Sequence, residues 1–319
     1  MAGDPLITGA TGFAGSHLLD RLCARGAVWA WSHARPRAFA DDTRVRWQAV
    51  DLLDRDAIRR ALAAARPRIV YHCAGIADVR ESWHDPALAL QVNVIGTHHL
   101  LEGVRACGLA CPVLVTGSGL VYQSSSGPIL EDHPIGPSTI YGVSKLAQEL
   151  AAQQSGLPVF LCRPFNHAGP RQSAAYVTSA FAEQLARIEA GAAEPVLRVG
   201  NLESRRDITD VRDTVAAYEA IVERGSLGRH YNVCSGRAYR IQDLLDILRG
   251  LARVRVRVER DPARLRPSDN PVVLGSHDRL TRDTGWRPCI SIEQTLSDLL
   301  DFWRWAVKAT ASSAAAPGP

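Results

Sequence analysis

Leu6-Ile7-Thr8-Gly9-Ala10-Thr11-Gly12-Phe13-Ala14-Gly15 opens the chain with a short apolar strand, a glycine-rich turn and the start of a helix. Glycines let a backbone turn tightly and approach a pyrophosphate, and the N-terminus of the following helix supplies N–H donors and positive potential. The spacing is G-x-x-G-x-x-G, one residue longer at its start than the commonest dinucleotide turn. Any tight strand-to-helix turn can use glycines, so the triplet alone is weak; its place directly after a first strand makes it strong. Gly9, Thr11, Gly12, Phe13 and Gly15 are therefore candidate cofactor-binding residues.

The chain beyond that turn keeps one rhythm. Strand-like apolar runs at 6–8, 27–32, 69–73, 113–116 and 159–162 alternate with helix-like runs at 16–25, 54–65, 86–107 and 139–154. Such alternation predicts an α/β fold, a Rossmann-like doubly wound parallel sheet with helices on both faces, and ligands beyond the carboxyl ends of its strands. After Arg163-Pro164 the pattern loosens. Helices are expected at 242–251 and 292–306, and a strand with one solvated face at 254–258, where arginine alternates with valine. The expected division is a dinucleotide-binding domain over 1–164, with 208–236 returning to it. A smaller substrate-binding lobe covers 165–207 and 237–306, and 307–319 form a disordered tail.

Composition narrows the class. With 319 residues the chain is long enough for a large core and a second lobe, and 46% apolar and 22% charged residues fit a globular protein. A formal charge of +4, with arginines scattered and no interleaved aromatics, argues against nucleic acid. No apolar run is long enough to span a membrane, and the N-terminus leads at once into a strand, so neither a membrane span nor a signal peptide is expected. Most of the seven dispersed cysteines read as small buried residues in a reducing cytoplasm; Cys107 and Cys111 lack the companions a metal site needs.

The second strand ends at Trp31-Ser32-His33-Ala34-Arg35. An acidic residue usually holds the ribose 2′-hydroxyl of NAD here. Ser32 and Arg35 would instead welcome a 2′-phosphate, which favours NADP(H), with NAD the alternative; an ordinary solvated loop arginine remains open for Arg35. Asp51, expected to end the third strand, is placed to meet the adenine amino group.

The catalytic candidates come from one spacing. Of 37 basic residues only Lys145 and Lys308 are lysines, and Lys145 stands in Tyr141-Gly142-Val143-Ser144-Lys145. On a helix, i and i+4 share a face, so the phenol and the ammonium point the same way. The ammonium is expected to lower the Tyr141 pKa toward working pH, making a proton donor to a carbonyl under reduction.

With the glycine turn, the Tyr-x-x-x-Lys helix and Ser118 four residues before Tyr122, the chain resembles the extended short-chain dehydrogenases/reductases from Leu6 to about Trp305. The resemblance implies a catalytic set of Ser118, Tyr141 and Lys145. It implies cofactor contacts at Leu52, Ala74, Gly75, Thr116 and Pro164 as well, and a structural asparagine at Asn93. Arg163-Pro164-Phe165-Asn166-His167-Ala168-Gly169-Pro170, Val199-Gly200-Asn201-Leu202-Glu203, Arg206-Asp207-Ile208-Thr209-Asp210 and Leu265-Arg266-Pro267-Ser268-Asp269 are most similar to reductases of GDP-linked 4-keto-6-deoxymannose. That likeness implies substrate contacts at Ser118, Asn166, Val199, Arg206 and Arg266, the arginines holding the diphosphate. It also implies a homodimer paired through the long helix and the tyrosine-bearing helix, with Ala87, Leu88, Leu90, Val94 and the alanines of 146–152 as candidates.

The implied reaction is reduction, by NADPH, of the C4 ketone of GDP-4-keto-6-deoxymannose to a GDP-6-deoxyhexose, rhamnose or 6-deoxytalose. The related GDP-mannose 4,6-dehydratases place a glutamate base two residues after the serine or threonine, where this chain has Leu120, which cannot take a proton. Dehydration is thus disfavoured, while an NAD-dependent 4-epimerase remains the nearest rival. A non-catalytic dinucleotide sensor would usually lack the tyrosine or the lysine. Gln123 and Arg171 depart from the family pattern at positions where glycine is usual.

Overall fold

A computed structural model describes residues 3–33, 42–264 and 270–314. In chain order the strands are β1 Leu6–Thr8, β2 Val28–Ser32, β3 Val45–Ala49, β4 Val70–His72, β5 Val113–Thr116, β6 Val159–Pro164, β7 Asn166–Ala168, β8 Val196–Val199, β9 Arg205–Asp210, β10 His230–Val233, β11 Ala238–Arg240, β12 Arg257–Arg260 and β13 Val272–Val273. The helices are α1 Phe13–Cys23, α2 Arg55–Ala65, α3 Val79–His84, α4 Pro86–Leu90, α5 Thr97–Ala106, α6 Ile140–Gln153, α7 Val177–Glu189, α8 Val211–Arg224, α9 Ile241–Leu251, α10 Asp278–Thr284 and α11 Ile292–Ala314.

Seven strands form one sheet in the order β3-β2-β1-β4-β5-β6-β10, every neighbouring pair parallel. This is the expected doubly wound α/β arrangement. The order reverses between β1 and β4, which leaves a crevice beyond their carboxyl ends. Successive residues of a strand point to opposite faces, and here both faces are dry. Ile7, Tyr71 and Leu114 join one core cluster with Leu18, Leu22, Tyr218 and Ile221 of α1 and α8. Their neighbours Leu6, Val70, Val113 and Val115 join the opposite one with Ile58, Leu62, Leu100 and Val104 of α2 and α5. Continuous apolar strands are what such double burial demands.

A third cluster gathers α7, α9 and α11 around β8 and β9 through Phe181, Leu185, Leu197, Leu244, Leu248, Leu296 and Leu300. One carboxylate ties this region to the main sheet. Asp207 of β9 is fully buried and accepts hydrogen bonds from Ser235 N and Oγ (2.7 and 2.6 Å), Gly236 N (3.0 Å) and Gly275 N (3.1 Å). It thereby binds β9 to the turn after β10 and the segment after β13. A carboxylate is costly to bury unless its lone pairs are filled, and these four donors fill them.

Several sequence expectations need correction. The helix expected over 86–107 is broken: α4 passes through a π-helical turn, Gln91–Gly96, into α5. The wide turn brings Asn93 inward, fully buried, where tertiary hydrogen bonds repay the irregular backbone. The strand expected over 254–258 starts later, at Arg257, where β8 offers a partner. Helix α11 continues to Ala314, past the expected end at 306, so residues 307–314 are helical. Asp51 lies two residues beyond the end of β3. No described helix is long and apolar enough to cross a membrane.

Candidate active site

The glycine turn closes against the end of β4. Gly9 adopts a left-handed backbone, φ 68°, and a Cβ there would sit 2.7 Å from the Ala74 Cα. A Cβ on Gly15 would land on the Gly9 carbonyl oxygen, so α1 starts this close to the turn because residue 15 has no side chain. Gly12 caps α1 with no side-chain bond, and the first turn carries no acid. Its N–H groups, and the positive end of the helix, are left for an anion. Thr11 and Gly12 are exposed at the rim, while the Phe13 ring stacks on His167 with centroids 5.4 Å apart.

Beneath the crevice lies a polar network with a determinate proton arrangement. Fully buried His72 meets Thr8 Oγ1 through Nδ1 and Thr97 Oγ1 through Nε2, both at 2.7 Å. The Thr97 hydroxyl donates to the Asn93 carbonyl (2.7 Å) and accepts from Gln148 Nε2 (2.8 Å). With that proton spent, His72 must donate from Nε2 and accept at Nδ1 from Thr8. Burial, with Lys145 adding to it, holds the imidazole neutral, its pKa lowered to about 3. The network welds β1, β4, α5 and α6 under the site.

The segment after β4 is positioned from the other side by Asn93. Its Oδ1 accepts from Ile76 N (2.8 Å), and its Nδ2 donates to Ile76 O (3.1 Å) and Ser144 Oγ (2.9 Å). A Cβ on Gly75 would sit 2.7 Å from that Oδ1 and 4.0 Å from Lys145 Nζ. Ala74, Gly75 and Lys145 therefore share one wall of the crevice, with the Gly9 turn directly beside them.

Helix α6 presents the catalytic candidates. Thr139 caps it by accepting from Gly142 N, and Tyr141 and Lys145 follow one turn apart. Ser118 lies just past β5, close enough to the Tyr141 phenol to favour its ionised form. The electrostatics overturn one expectation. Burial raises the Tyr141 pKa, opposed by Ser118, so the tyrosine stands as a phenol and not as a phenolate near neutrality. Burial also depresses Lys145 to about 8, against the pull of Glu149. Spacing reveals that the two side chains share a face, but not that burial sets the direction of both shifts.

Other sequence candidates divide by location. Thr116 donates to the His72 carbonyl (2.9 Å) and Pro164 ends β6, both at the carboxyl edge of the sheet. Ser32 is buried at the end of β2. Leu52 is buried against Gly96, its carbonyl 3.1 Å from His99 Nδ1. The exposed Asp51 uses one oxygen to cap its own turn at Leu53 N (2.9 Å). Asn166 is exposed at the start of β7. Val199 has its side chain fully buried in the third cluster, and its carbonyl accepts from Asp261 N (2.8 Å). Arg206 is half-buried, donating to the carbonyls of Arg205 (2.8 Å) and Pro271 (3.5 Å). Burial lowers its pKa, and among the described residues no carboxylate pairs with it. Arg35 and Arg266 lie outside the described residues.

Two features were not legible. Arg171 has φ 72°, the left-handed region that explains why glycine is usual there. Its guanidinium pairs with Asp20 of α1, and Pro170 O lies 2.8 Å from His17 Nε2 of the same helix. The glycine-turn helix is thus clamped to the loop after β7. Tyr176 stands near Tyr141, donates to the Ala77 carbonyl (3.3 Å), and neighbours Ala175, whose carbonyl accepts from Arg80 (3.0 Å). The loops after β4 and β7 meet there across the crevice. Neither contact leaves a local sequence signal, since each joins residues some hundred positions apart or more.

The family model of GDP-mannose 4,6-dehydratase matches residues 6–299. The chain belongs to this family of extended short-chain dehydrogenases/reductases. GDP-6-deoxy-D-mannose reductase of Pseudomonas aeruginosa is 37% identical over 309 residues, covering 95% of this chain and 97% of the relative. The structure of RMD from Pseudomonas aeruginosa complexed with NADPH superimposes with a TM-score of 0.83 at 34% identity, over 95% of this chain and 99% of that one. UDP-glucose 4-epimerase of Mycolicibacterium smegmatis is 28% identical, covering 94% and 98% of the two chains. The family's extended dehydrogenase fold accounts for the strand order, the glycine turn and the tyrosine-bearing helix alike.

Proposed function

We propose that the protein reduces the C4 ketone of GDP-4-keto-6-deoxymannose with NADPH. The observation that carries this reading is the convergence of Tyr141, Ser118 and Lys145 on a crevice walled by Gly9, Ala74 and Gly75, in a chain 37% identical to a GDP-6-deoxy-D-mannose reductase. Bound NADPH supplies the hydride. The α1 N-terminus holds the pyrophosphate, and Ser32, with Arg35, takes the 2′-phosphate. Ser118 hydrogen-bonds the substrate carbonyl and orients it, Tyr141 donates a proton to the forming alkoxide, and Lys145 binds the nicotinamide ribose and favours charge on Tyr141. A phenol still protonated near neutrality is the form a reductase needs. Residues 165–207 and 237–306 serve as the sugar-nucleotide lobe over the domain formed by 1–164 and 208–236. A nucleotide sugar and NADPH as reactants place the work in the cytoplasm.

Incubating the protein with NADPH and GDP-4-keto-6-deoxymannose and identifying the product by NMR tests the reading. Stoichiometric NADPH oxidation with a GDP-6-deoxyhexose product supports it. A 4-epimerised sugar formed without net NADPH loss would replace it with the epimerase reading. Arg206, a half-buried cation that pairs with no carboxylate among the described residues, is assigned to the diphosphate. Arg206→Met should raise KM for the sugar nucleotide roughly 30-fold, the loss of about 2 kcal/mol of charge-assisted hydrogen bonding, and leave KM for NADPH unchanged. An equal rise for both substrates rejects the assignment.

A homodimer is the proposed assembly. Leu90 and Ile95 on the α4-to-α5 run and Val143 and Leu150 on α6 are exposed apolar side chains on the two helices expected to pair. Light scattering should give twice the chain mass for the native protein and a monomer for Leu150→Glu. A monomeric native protein refutes the pairing.

A further inference from the structure

The roles assigned above leave one costly feature unexplained. Glu149 of α6 and Arg163 of β6 have side chains only 1% and 5% exposed, and Arg163 donates to Glu149 at 3.2, 3.0 and 2.8 Å. Removing two charges from water costs about what their attraction returns, so such a pair is a poor source of stability. Its position gives it another use. Glu149 lies one helical turn beyond Lys145 and two beyond Tyr141, on the same face of α6. Its carboxylate fills the space that a side chain on Gly117, next to Ser118, would need. Arg163 is locked in turn, its guanidinium 4.7 Å over the Tyr122 ring, whose hydroxyl donates to Asn232 Oδ1 at 2.8 Å.

We propose that Glu149, held by Arg163, is a positioning residue whose fixed negative charge keeps Lys145 an ammonium during turnover. The inference rests on Tyr141 and Lys145 acting as proposed above. The groups that feel Lys145 are Glu149 from α6, His72 from β4 and Cys73 just after it, and Cys162 from β6. His72 is held neutral, and burial pushes both thiols up, so they are neutral too. Tyr141 and Tyr218, the phenols nearby, are raised by burial and uncharged. Glu149 is different: burial pushes its carboxyl up, but His230 and Arg163 outweigh that and keep it an anion. Among the described residues it is the negative charge this lysine has, and it opposes the desolvation that strips the ammonium.

The pH profile of kcat/KM tests the idea. Removing a nearby negative charge lowers the proton affinity of both Lys145 and Tyr141, so both effects move the high-pH limb the same way. Glu149→Gln should shift that limb to lower pH by on the order of one unit. Glu149→Asp keeps the charge and should leave the limb within about 0.3 unit. A purely structural role lowers kcat without moving the limb, or moves it equally in both variants, and either result overturns the inference. Should Glu149→Gln fail to fold, Glu149→Leu with Arg163→Met leaves no unpaired buried charge, and its limb must still fall. Turnover by the native protein is measured first. No native turnover defeats the functional reading, whereas native turnover with an unmoved limb defeats this inference alone.

Discussion

Tyr141→Phe is expected to cut kcat for ketone reduction by about 1000-fold, the middle of the range for removing a general acid. The phenyl ring keeps the shape of the site, so the loss belongs to the proton. Tyr141 is the hydroxyl beside Ser118, and burial keeps it protonated until well above neutrality. NADPH affinity, read by fluorescence titration, should change less than about 3-fold, because Lys145 and the glycine turn are untouched. A variant with near-native turnover would remove the proton donor from the scheme. In the native protein kcat/KM should also fall as pH rises through about 8, where Lys145 loses its proton.

The other large effect concerns the turn. Gly15→Ala places a methyl group on the Gly9 carbonyl oxygen. That oxygen is backbone and accepts the Gly12 N–H at 2.9 Å, so the turn cannot yield without opening. Opening it misaligns the donors at the start of α1. Losing two charge-assisted hydrogen bonds of about 1.5 kcal/mol each should weaken NADPH binding at least 100-fold. Circular dichroism separates this from unfolding, since α2, α5 and α8, which also cover the sheet, do not depend on that methyl-sized gap. A folded variant with native NADPH affinity would show that the pyrophosphate is held elsewhere.

The local and the distant parts of this site differed in how far they could be read. Strand and helix positions came through periodicity, because Leu6, Val70 and Val113 bury one sheet face while Ile7, Tyr71 and Leu114 bury the other. The break in the long helix did not, because the π-helical turn is stabilised by Asn93 bonding to Ile76, seventeen residues away. Val199 could not be sorted into core or crevice, since an apolar residue at the end of a strand serves either. Sequence does not show the direction of the Tyr141 shift, because charge spacing along a helix is visible there and desolvation is not.

Period and glycine placement were enough for the doubly wound parallel sheet, the position of the crevice and the phenol–ammonium face of α6, because each depends on residues within a few turns of one another. Folding in three dimensions assigned the His72 tautomer, the depressed ammonium of Lys145, the clamp from Arg171 to α1 and the buried partnership of Glu149 with Arg163. Those properties arise from distant groups sharing a dry volume, where loss of water and the direction of each hydrogen bond set the charge that a side chain carries.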